Sequence, residues 1–359
     1  ITSLVLPNSV ETISKSAFMD NANMKRASLG NSVEVVSDNA FSGCTALSDI
    51  NLGTALQTIG NEAFQSVGSL AISWKPFIFP ESLISIGNNA FCGSGITNII
   101  IPNQVATLGE SCFAKCKNLQ SVEVGAGCQE LSKSVFGDCS ALKDVRLSFG
   151  LIKIADKAFA NCTSLESISI PGSVTQVGDY GKESSTAPST LPFYGCSSLK
   201  EVRFEDGKEP ICLGSYCRYY GSGRYYSYDT DNSYGLFSTC PLENVYIGRD
   251  INYVENTNYS FEANPQYYGY SAFYNQPKLA KITISPSVTK IAPYLFYKNA
   301  AITMTELLKV KEIGRSAFEE CSKLTTLNLG QALETVGDCA FQNCTNVTKL
   351  TFPDATTAI

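Results

Sequence analysis

The chain of 359 residues has no His, a single Trp and only three Met. Without imidazole it cannot form a Ser-His-Asp triad, a Cys-His dyad or a histidine metal site. Charged residues are also scarce, at 17% of the chain against about 25% in an average globular domain. These shortages remove the most common forms of nucleophilic and acid–base catalysis.

Long apolar runs and an excess of positive charge are missing as well. No apolar run reaches the about 18 residues of a spanning helix, so we expect no membrane insertion by this segment. The 27 basic and 33 acidic residues give a net charge of −6, which argues against a nucleic-acid partner. Because neither an initiator Met nor a signal peptide opens the sequence at Ile1, we expect a processed or partial chain.

What the chain has in abundance is an internal repeat. Nine of the twelve intervals between its recurring Phe residues are 22 to 27 residues long, and most are 23. Counted from this Phe, a small residue (usually Cys) stands at +3, Leu at +6, and Ile or Val at +9 and +11. The recurring Phe residues are Phe18, Phe41, Phe64, Phe91, Phe113, Phe136, Phe159, Phe193, Phe237, Phe273, Phe296, Phe318 and Phe341.

The best-preserved unit runs from Ala158 to Gly178 and combines two local patterns. Alternating apolar and polar residues from Leu165 to Ile170 predict a strand with one buried face. The segment from Ala158 to Cys162 is too short for a free helix and predicts one helical or 3-10 turn. Because one unit cannot bury its apolar stripe alone, we predict one solenoid of about 13 stacked coils over residues 1–359.

The unit resembles the BspA-like leucine-rich repeat, a 23-residue class found in bacterial and protist surface proteins. Ala158-Phe159, Cys162, Leu165, Ile168 and Ile170-Pro171 carry the resemblance. It implies a leucine-rich-repeat-like, right-handed β/α coil with parallel strands. It also implies a cell-surface or secreted protein of a gut or oral bacterium, often an adhesin. The family motif contains no catalytic residue that could be carried over.

Three consecutive coils depart from the repeat through insertions at the same corner, over residues 179–191, 215–235 and 255–271. Insertions in stacked repeats map to one face, which often binds ligands. Sixteen of the 18 Tyr residues lie between Tyr180 and Tyr274. Tyr with Ser, Gly, Asn and Arg is the composition of antibody binding loops, and Tyr rings also stack on sugars. Candidate ligand-binding residues are Arg218, Tyr219, Tyr220, Arg224, Tyr225, Tyr226, Tyr228, Tyr234, Tyr259, Tyr267 and Tyr268.

Other features have simpler explanations. The Tyr residues could instead pack the insertions onto the solenoid, and Trp74 could either bind a ligand or cover a coil edge. Asp229 and Asp231 lack the spacing of a calcium loop and predict a solvated turn. Lys200, Glu201 and Arg203, at outward strand positions, predict a solvated face of mixed charge.

The 14 Cys residues follow the repeat rather than a disulfide pattern. Those at +3 are expected to stack as small core residues, since free Cys is among the most buried residue types. Cys112 stands where other units have Ala and is expected to be a core residue too. The candidates for disulfides or reactive thiols are Cys92, Cys128, Cys212, Cys217 and Cys339, and a Cys212–Cys217 bridge could brace the second insertion.

These observations predict a non-catalytic, extracellular or cell-surface adhesion protein that binds through its Tyr-rich edge and uses no cofactor or metal. The expected partner is a host or microbial surface protein, or a glycan. A glycan-binding accessory protein and a structural spacer without a specific ligand remain alternatives. No arrangement of nucleophile, base and oxyanion donors is visible, so catalysis is not expected.

Overall fold

The computed structural model of the protein describes residues 1–68, 77–179, 181–183, 191–214, 216–220, 227–228, 235–254, 272–274 and 276–359. Its contacts divide the chain into two compact units, Ile1–Leu165 with Gly195–Ser197 and Glu166–Tyr194 with Ser198–Ile359. In both units almost every coil supplies two short strands, each paired in parallel with the equivalent strands of neighbouring coils.

Fourteen strands lie in the described part of the first unit. The first strands of its coils form sheets of order β1-β3-β5 and β7-β9-β11-β13, and the second strands form β2-β4-β6-β8-β10 and the pair β12-β14. The strands are β1 Ser3–Val5, β2 Thr12–Ile13, β3 Arg26–Ser28, β4 Val35–Val36, β5 Asp49–Asn51, β6 Thr58–Ile59, β7 Phe77–Ile78, β8 Ser85–Ile86, β9 Asn98–Ile101, β10 Thr107–Leu108, β11 Ser121–Val124, β12 Glu130–Leu131, β13 Asp144–Leu147 and β14 Lys153–Ile154.

Among the described residues of the second unit there are fifteen strands. Its sheets have the orders β15-β18-β22-β24-β26-β28, β16-β19-β23, β25-β27-β29 and β17-β20-β21. The strands are β15 Ser167–Ile170, β16 Gln176–Val177, β17 Gly181–Glu183, β18 Glu201–Phe204, β19 Ile211–Leu213, β20 Tyr216–Tyr220, β21 Ser227–Tyr228, β22 Asn244–Ile247, β23 Ile251–Tyr253, β24 Lys281–Ile284, β25 Lys290–Ile291, β26 Met304–Glu306, β27 Glu312–Ile313, β28 Thr326–Asn328 and β29 Thr335–Val336.

Equivalent residues of successive repeats lie side by side. Val122 of β11, for example, pairs with Ile99 of β9 on one side and with Val145 of β13 on the other. Alternation along these strands sends the apolar residues inward, as in β9, where Ile99 and Ile101 are buried. The predicted fold class, a repeat solenoid with parallel strands, is therefore confirmed.

Eleven of the thirteen recurring Phe residues are buried, Phe18 and Phe341 are half-buried, and rings of successive coils stack on one another. The rings of Phe41 and Phe64 lie 5.2 Å apart and 3° from parallel, and those of Phe237 and Phe273 lie 5.5 Å apart and 4° from parallel. Aromatic pairs at such distances stabilise a core by about 0.5–1.5 kcal/mol beyond the area they bury. The stack makes neighbouring coils interdependent.

The Cys residues at +3 form a second ladder beside the Phe rings. Each thiol donates a hydrogen bond to the carbonyl oxygen of the recurring Phe one coil earlier, at 3.1–3.4 Å. Where Gln276 replaces Cys, its Nε2 donates to the Phe237 carbonyl at 2.8 Å. The residues that form the ladder are Cys44, Cys116, Cys139, Cys162, Cys196, Cys240, Cys321 and Cys344.

The segment around each recurring Phe forms turns, and the predicted helical or 3-10 turns are not found among the described residues. In the coil of Phe41, the N–H groups of Phe41 and Gly43 donate to carbonyls of the next coil, whereas those of Ala40 and Ser42 bond three residues back. Asn39 has a φ of 57° and Gly43 a φ of 74°, so left-handed residues interrupt the segment on both sides of Phe41. A helix cannot form when alternate N–H groups are used between coils.

Candidate functional site

The three insertions leave the coils from three neighbouring strands. Strands β16, β19 and β23 lie in this order in one parallel sheet. Just after them, the Gly214 N–H donates to the Val177 carbonyl at 2.7 Å, and the Val254 N–H donates to the Leu213 carbonyl at 2.9 Å. The stems of the insertions are therefore bonded to one another.

The first and second insertions also share a small sheet of their own. β17 pairs in parallel with β20, which places Glu183 opposite Arg218. β20 in turn pairs antiparallel with β21, which places Tyr219 opposite Tyr228 and Tyr220 opposite Ser227. A Tyr-rich segment favours strand formation because aromatic residues have high β-propensity. We call β17, β20 and β21 the Tyr-rich sheet.

The structure thus brings some of the predicted ligand-binding residues together and leaves the others undescribed. Arg218, Tyr219 and Tyr220 lie in β20, and Tyr228 lies in β21. The others lie outside the described residues: Arg224, Tyr225, Tyr226, Tyr234, Tyr259, Tyr267 and Tyr268. Trp74, Asp229 and Asp231 also lie outside them.

Two Tyr residues near the insertions have packing roles. Tyr253, at the stem of the third insertion, is buried and its hydroxyl donates to the Pro293 carbonyl at 3.2 Å. Tyr294 is buried as well, and its ring meets that of Tyr297 edge-on at 5.7 Å. Burial raises the pKa of both Tyr253 and Tyr294. These two Tyr residues belong to the core rather than to a binding surface.

A second organised surface lies on the outward face of the sheet formed by β15, β18, β22 and β24. The Arg203 guanidinium lies 3.6 Å from the centre of the Tyr246 ring, and the Tyr246 hydroxyl donates to Asp206 at 2.9 Å. Ser285 also donates to Asp206, at 2.5 Å. The Ser285 hydroxyl, followed by Tyr246, lowers the pKa of the Asp206 carboxyl and so keeps it charged.

Arg249 lies beneath this surface and was not predicted as a notable residue. Its side chain is 2% exposed and donates to the carbonyls of Pro171, at 2.8 Å, and Gly172. Burial lowers the pKa of the guanidinium. The Arg249 side chain passes close to Gly207, where any larger residue would collide with it, since a Cβ there would lie 2.8 Å from an Arg249 nitrogen.

The described cysteines are not clustered in a way that could hold a metal ion. No group of three or more His, Cys, Asp or Glu in the described ranges could hold a metal ion. Cys92 is half-buried, Cys128 is buried and Cys339 is exposed, and all three are free thiols. Burial raises the pKa of the Cys128 thiol to about 11, which disfavours the thiolate, the nucleophilic form, at neutral pH. Cys217 lies in β20, and its side chain is outside the described part of the structure.

No described helix is long and apolar enough to cross a bilayer. What the structure presents are two adjoining insertions rich in Tyr and an outward strand face with a fixed Arg–Tyr–Asp cluster.

The family model of the BspA type leucine rich repeat region matches six copies in residues 1–73, 71–187 and 252–359. Among solved structures, a leucine-rich repeat protein from Bacteroides ovatus ATCC 8483 is similar in fold, with a TM-score of 0.54 and 24% identity, covering 99% of this chain and 91% of that one. A leucine-rich repeat protein of T. pallidum is 30% identical over 46% of this chain and 78% of its own, with a TM-score of 0.42.

A leucine-rich cell surface protein from Faecalibacterium prausnitzii A2-165 is 18% identical, with a TM-score of 0.41, over 98% of this chain and 88% of its own. No curated protein sequence matches the chain.

Proposed function

Because the chain belongs to the BspA-type leucine-rich repeat family, we propose that it is a non-catalytic binding protein of the cell exterior whose Tyr-rich insertions contact a partner protein. The family supports a protein-interaction or surface role. The observation that carries the finer proposal is the Tyr-rich sheet, in which β17 of the first insertion pairs with β20 of the second. Backbone pairing of this kind joins two separate insertions into one surface.

The composition of the insertions supports binding over packing alone. Tyr supplies a large contact area for the loss of only two side-chain rotations, and it is enriched at energetically dominant interface positions. Tyr219 and Tyr228 are cross-strand partners, so a ligand would meet a paired segment of backbone. In the proposed arrangement the solenoid acts as a rigid support.

The proposal is tested by comparing the wild-type protein with a Tyr219→Ser, Tyr228→Ser double variant on an array of extracellular-matrix proteins and glycans. A Tyr246→Ser variant, which changes the outward strand face, is the matched control. Circular dichroism and thermal unfolding first establish that all three proteins are folded.

We expect a protein hit that the double variant loses and the control keeps. Loss in the control alone would move the binding site to the strand face. A hit restricted to glycans would replace the proposed protein partner by a sugar. Unchanged binding together with a lower melting temperature in the double variant would show that these Tyr residues pack.

A further inference from the structure

A chain of contacts on the outward face of β18 and β22 holds the Arg203 guanidinium in place. Arg203 and Tyr246 are register partners in these neighbouring strands, and the guanidinium carbon lies 3.6 Å from the centre of the Tyr246 ring. At this distance the guanidinium plane stacks on the ring. The ring is fixed in turn, because the Tyr246 hydroxyl donates to Asp206 at 2.9 Å and Ser285 donates to the same carboxylate at 2.5 Å. The position of the cation is therefore set before any ligand arrives.

The stacked Arg203 keeps its hydrogen-bond donors free. It is exposed and forms no ion pair with any described residue. The exposed Arg26 and Arg146 of the first unit, in contrast, each face a carboxylate at 3.7 Å. A guanidinium carries five N–H donors in one plane, and stacking uses the face of that plane and not its edge. The edge of Arg203 is thus available to an anionic group.

Two carboxylates flank Arg203 along its own side of the sheet. Glu201 and Glu205 stand two residues before and after it, so all three belong to the outward set of positions. Glu205 accepts a hydrogen bond from the Ser169 hydroxyl at 2.7 Å, whereas Glu201 is exposed and pairs with no described cation. Both carboxylates repel a simple anion but accept hydrogen bonds from hydroxyl groups. A ligand that fits must combine one anionic group with hydroxyl donors.

The surroundings of the pair favour a carbohydrate over an acidic protein segment. In the register of the sheet, Ser169 lies beside Arg203 and Thr283 lies beside Tyr246. Protein-binding sites are centred on apolar and aromatic anchors. Here the guanidinium covers one face of the aromatic ring, and the neighbouring outward residues carry hydroxyls. Such a surface offers hydrogen bonds rather than apolar contact.

We propose that Arg203, Tyr246 and Glu201 form a binding site for a hexuronate unit of an acidic polysaccharide. The sugar carboxylate accepts two parallel hydrogen bonds from the edge of Arg203, which is the geometry that guanidinium groups prefer for carboxylates. A ring hydroxyl on the far side of the sugar donates to Glu201. The two groups of the sugar are separated by roughly the length of two strand residues, about 6.6 Å, which is the spacing of Glu201 and Arg203 along β18. This site is separate from the Tyr-rich sheet and does not depend on it.

The test titrates the full chain with trigalacturonate and with its methyl ester, which keeps the rings and hydroxyls but loses the charge. Calorimetry should show that the acid binds at least about tenfold more tightly, because the hydrogen bonds from Arg203 are charge-assisted in the acid alone. The affinity of the acid should fall as the salt concentration rises. Equal binding of acid and ester would overturn the proposal. Equally tight binding of a capped tri-glutamate peptide would overturn it as well, since that peptide has carboxylates but no hydroxyls.

Hexuronates occur both in plant cell walls and in animal matrix, and a second acid separates these sources. A hyaluronan tetrasaccharide, which contains glucuronate, is titrated under the same conditions. Preference for trigalacturonate would assign the site to plant polysaccharides, and preference for hyaluronan would assign it to the animal matrix. Absence of binding by both acids at millimolar concentration would refute the site.

Variants then locate the sugar, after circular dichroism has established that each is folded. Arg203→Gln should weaken binding of the acid at least about tenfold and abolish the preference over the ester. Arg26→Gln, which removes an exposed Arg of the first unit, is the matched control and should bind like the wild type. Tyr246→Ser removes the stack and should weaken binding more than Tyr246→Phe, which removes the bond to Asp206 alone. Unchanged affinity in Arg203→Gln would place the sugar elsewhere.

Glu201→Ala gives a test that depends on the sign of the change. Loss of a hydroxyl acceptor should weaken binding of the acid, whereas loss of a repelling charge alone would strengthen it. A gain in affinity would therefore contradict the proposed role of Glu201. The Tyr219→Ser, Tyr228→Ser variant should bind the acid normally, and Tyr246→Ser should keep the protein partner of the Tyr-rich sheet. These two results distinguish failure of the sugar site from failure of the Tyr-rich sheet.

Discussion

The thiol of Cys139 donates to the carbonyl oxygen of Phe113, 3.1 Å away and one coil earlier in the chain. Both residues are completely buried. The same bond recurs at each Cys of the ladder. Recurring Cys residues in a sequence suggest disulfide bonds, but here each thiol donates a hydrogen bond to the preceding coil. The ladder satisfies carbonyls that lie too deep in the core for water to reach.

Replacement of Cys139 should therefore show how much one such hydrogen bond contributes to the free energy of unfolding. Cys139→Ala leaves the buried Phe113 carbonyl without this donor and creates a small void, so we expect a loss of about 1–3 kcal/mol in the free energy of unfolding. Urea titration under reducing conditions measures it. Cys339→Ala, at an exposed position, is the control and should stay within about 0.5 kcal/mol. Equal losses in both variants would contradict a structural role for the thiol.

The buried thiols should also make the protein sensitive to alkali. Desolvation raises the pKa of Cys196 to about 12. In the unfolded chain this thiol ionises at about pH 8.5, so its contribution to stability is complete below that pH and declines as the pH rises toward 12. The free energy of unfolding should fall by about 1.4 kcal/mol per pH unit for each such thiol above pH 9. Urea titrations at pH 7, 9 and 10 should show a smaller slope for Cys196→Ser than for Cys339→Ser.

Asn299 marks a coil in which the ladder is broken. It occupies the +3 position after Phe296 and is fully buried, but its amide nitrogen and oxygen have no partners. Asn299→Cys should supply the usual donor to the Phe273 carbonyl and remove two unpaired atoms, so we expect a gain of about 1–2 kcal/mol in urea titration. Gln276→Cys replaces an amide that already donates and should bring no gain. A gain in the control of the same size would refute this explanation.

The stacked Phe and Cys residues could be predicted from the sequence because they recur at one spacing. Phe41, Phe64 and Leu165 could be placed in the core from the repeat alone, and all three are fully buried. The non-helical turns of the described coils were not predictable in this way. The left-handed positions around the Phe residues carry residues as different as Ser16, Asp20 and Asn39, so no residue type marks them.

Contacts between coils of unequal length could not be predicted from the sequence either. Tyr246 meets Asp206 across 40 residues of sequence, and the insertions between them obscure the register. The buried Thr305, whose hydroxyl has no hydrogen-bond partner, did leave a signal, since it replaces an aliphatic residue at a core position. A polar residue at such a position in a repeat is thus an indication of a local defect in the core.

The position of the Arg249 side chain in one coil depends on the absence of a side chain at Gly207 in the preceding coil. The Arg249 side chain reaches past Gly207 to the carbonyls of Pro171 and Gly172. In Gly207→Ala, the new Cβ would lie 2.5 Å from the Gly172 oxygen and 2.8 Å from an Arg249 nitrogen. We expect this variant to lose about 1–3 kcal/mol of stability through overpacking, measured as a lower urea midpoint. Gly137→Ala, whose Cβ would meet nothing closer than 3.3 Å, should be almost neutral.

A double-mutant cycle tests whether the two residues are coupled. Arg249→Met alone should cost about 2–4 kcal/mol, because it leaves two buried carbonyls without a charged donor. Since the longer side chain is then gone, Gly207→Ala should cost less in the Arg249→Met background than in the wild type, by about 1 kcal/mol. Part of the cost should persist, because the Gly172 oxygen still lies close to the new Cβ. Strict additivity of the two substitutions would mean that Gly207 is required by the backbone of the neighbouring coil and not by Arg249.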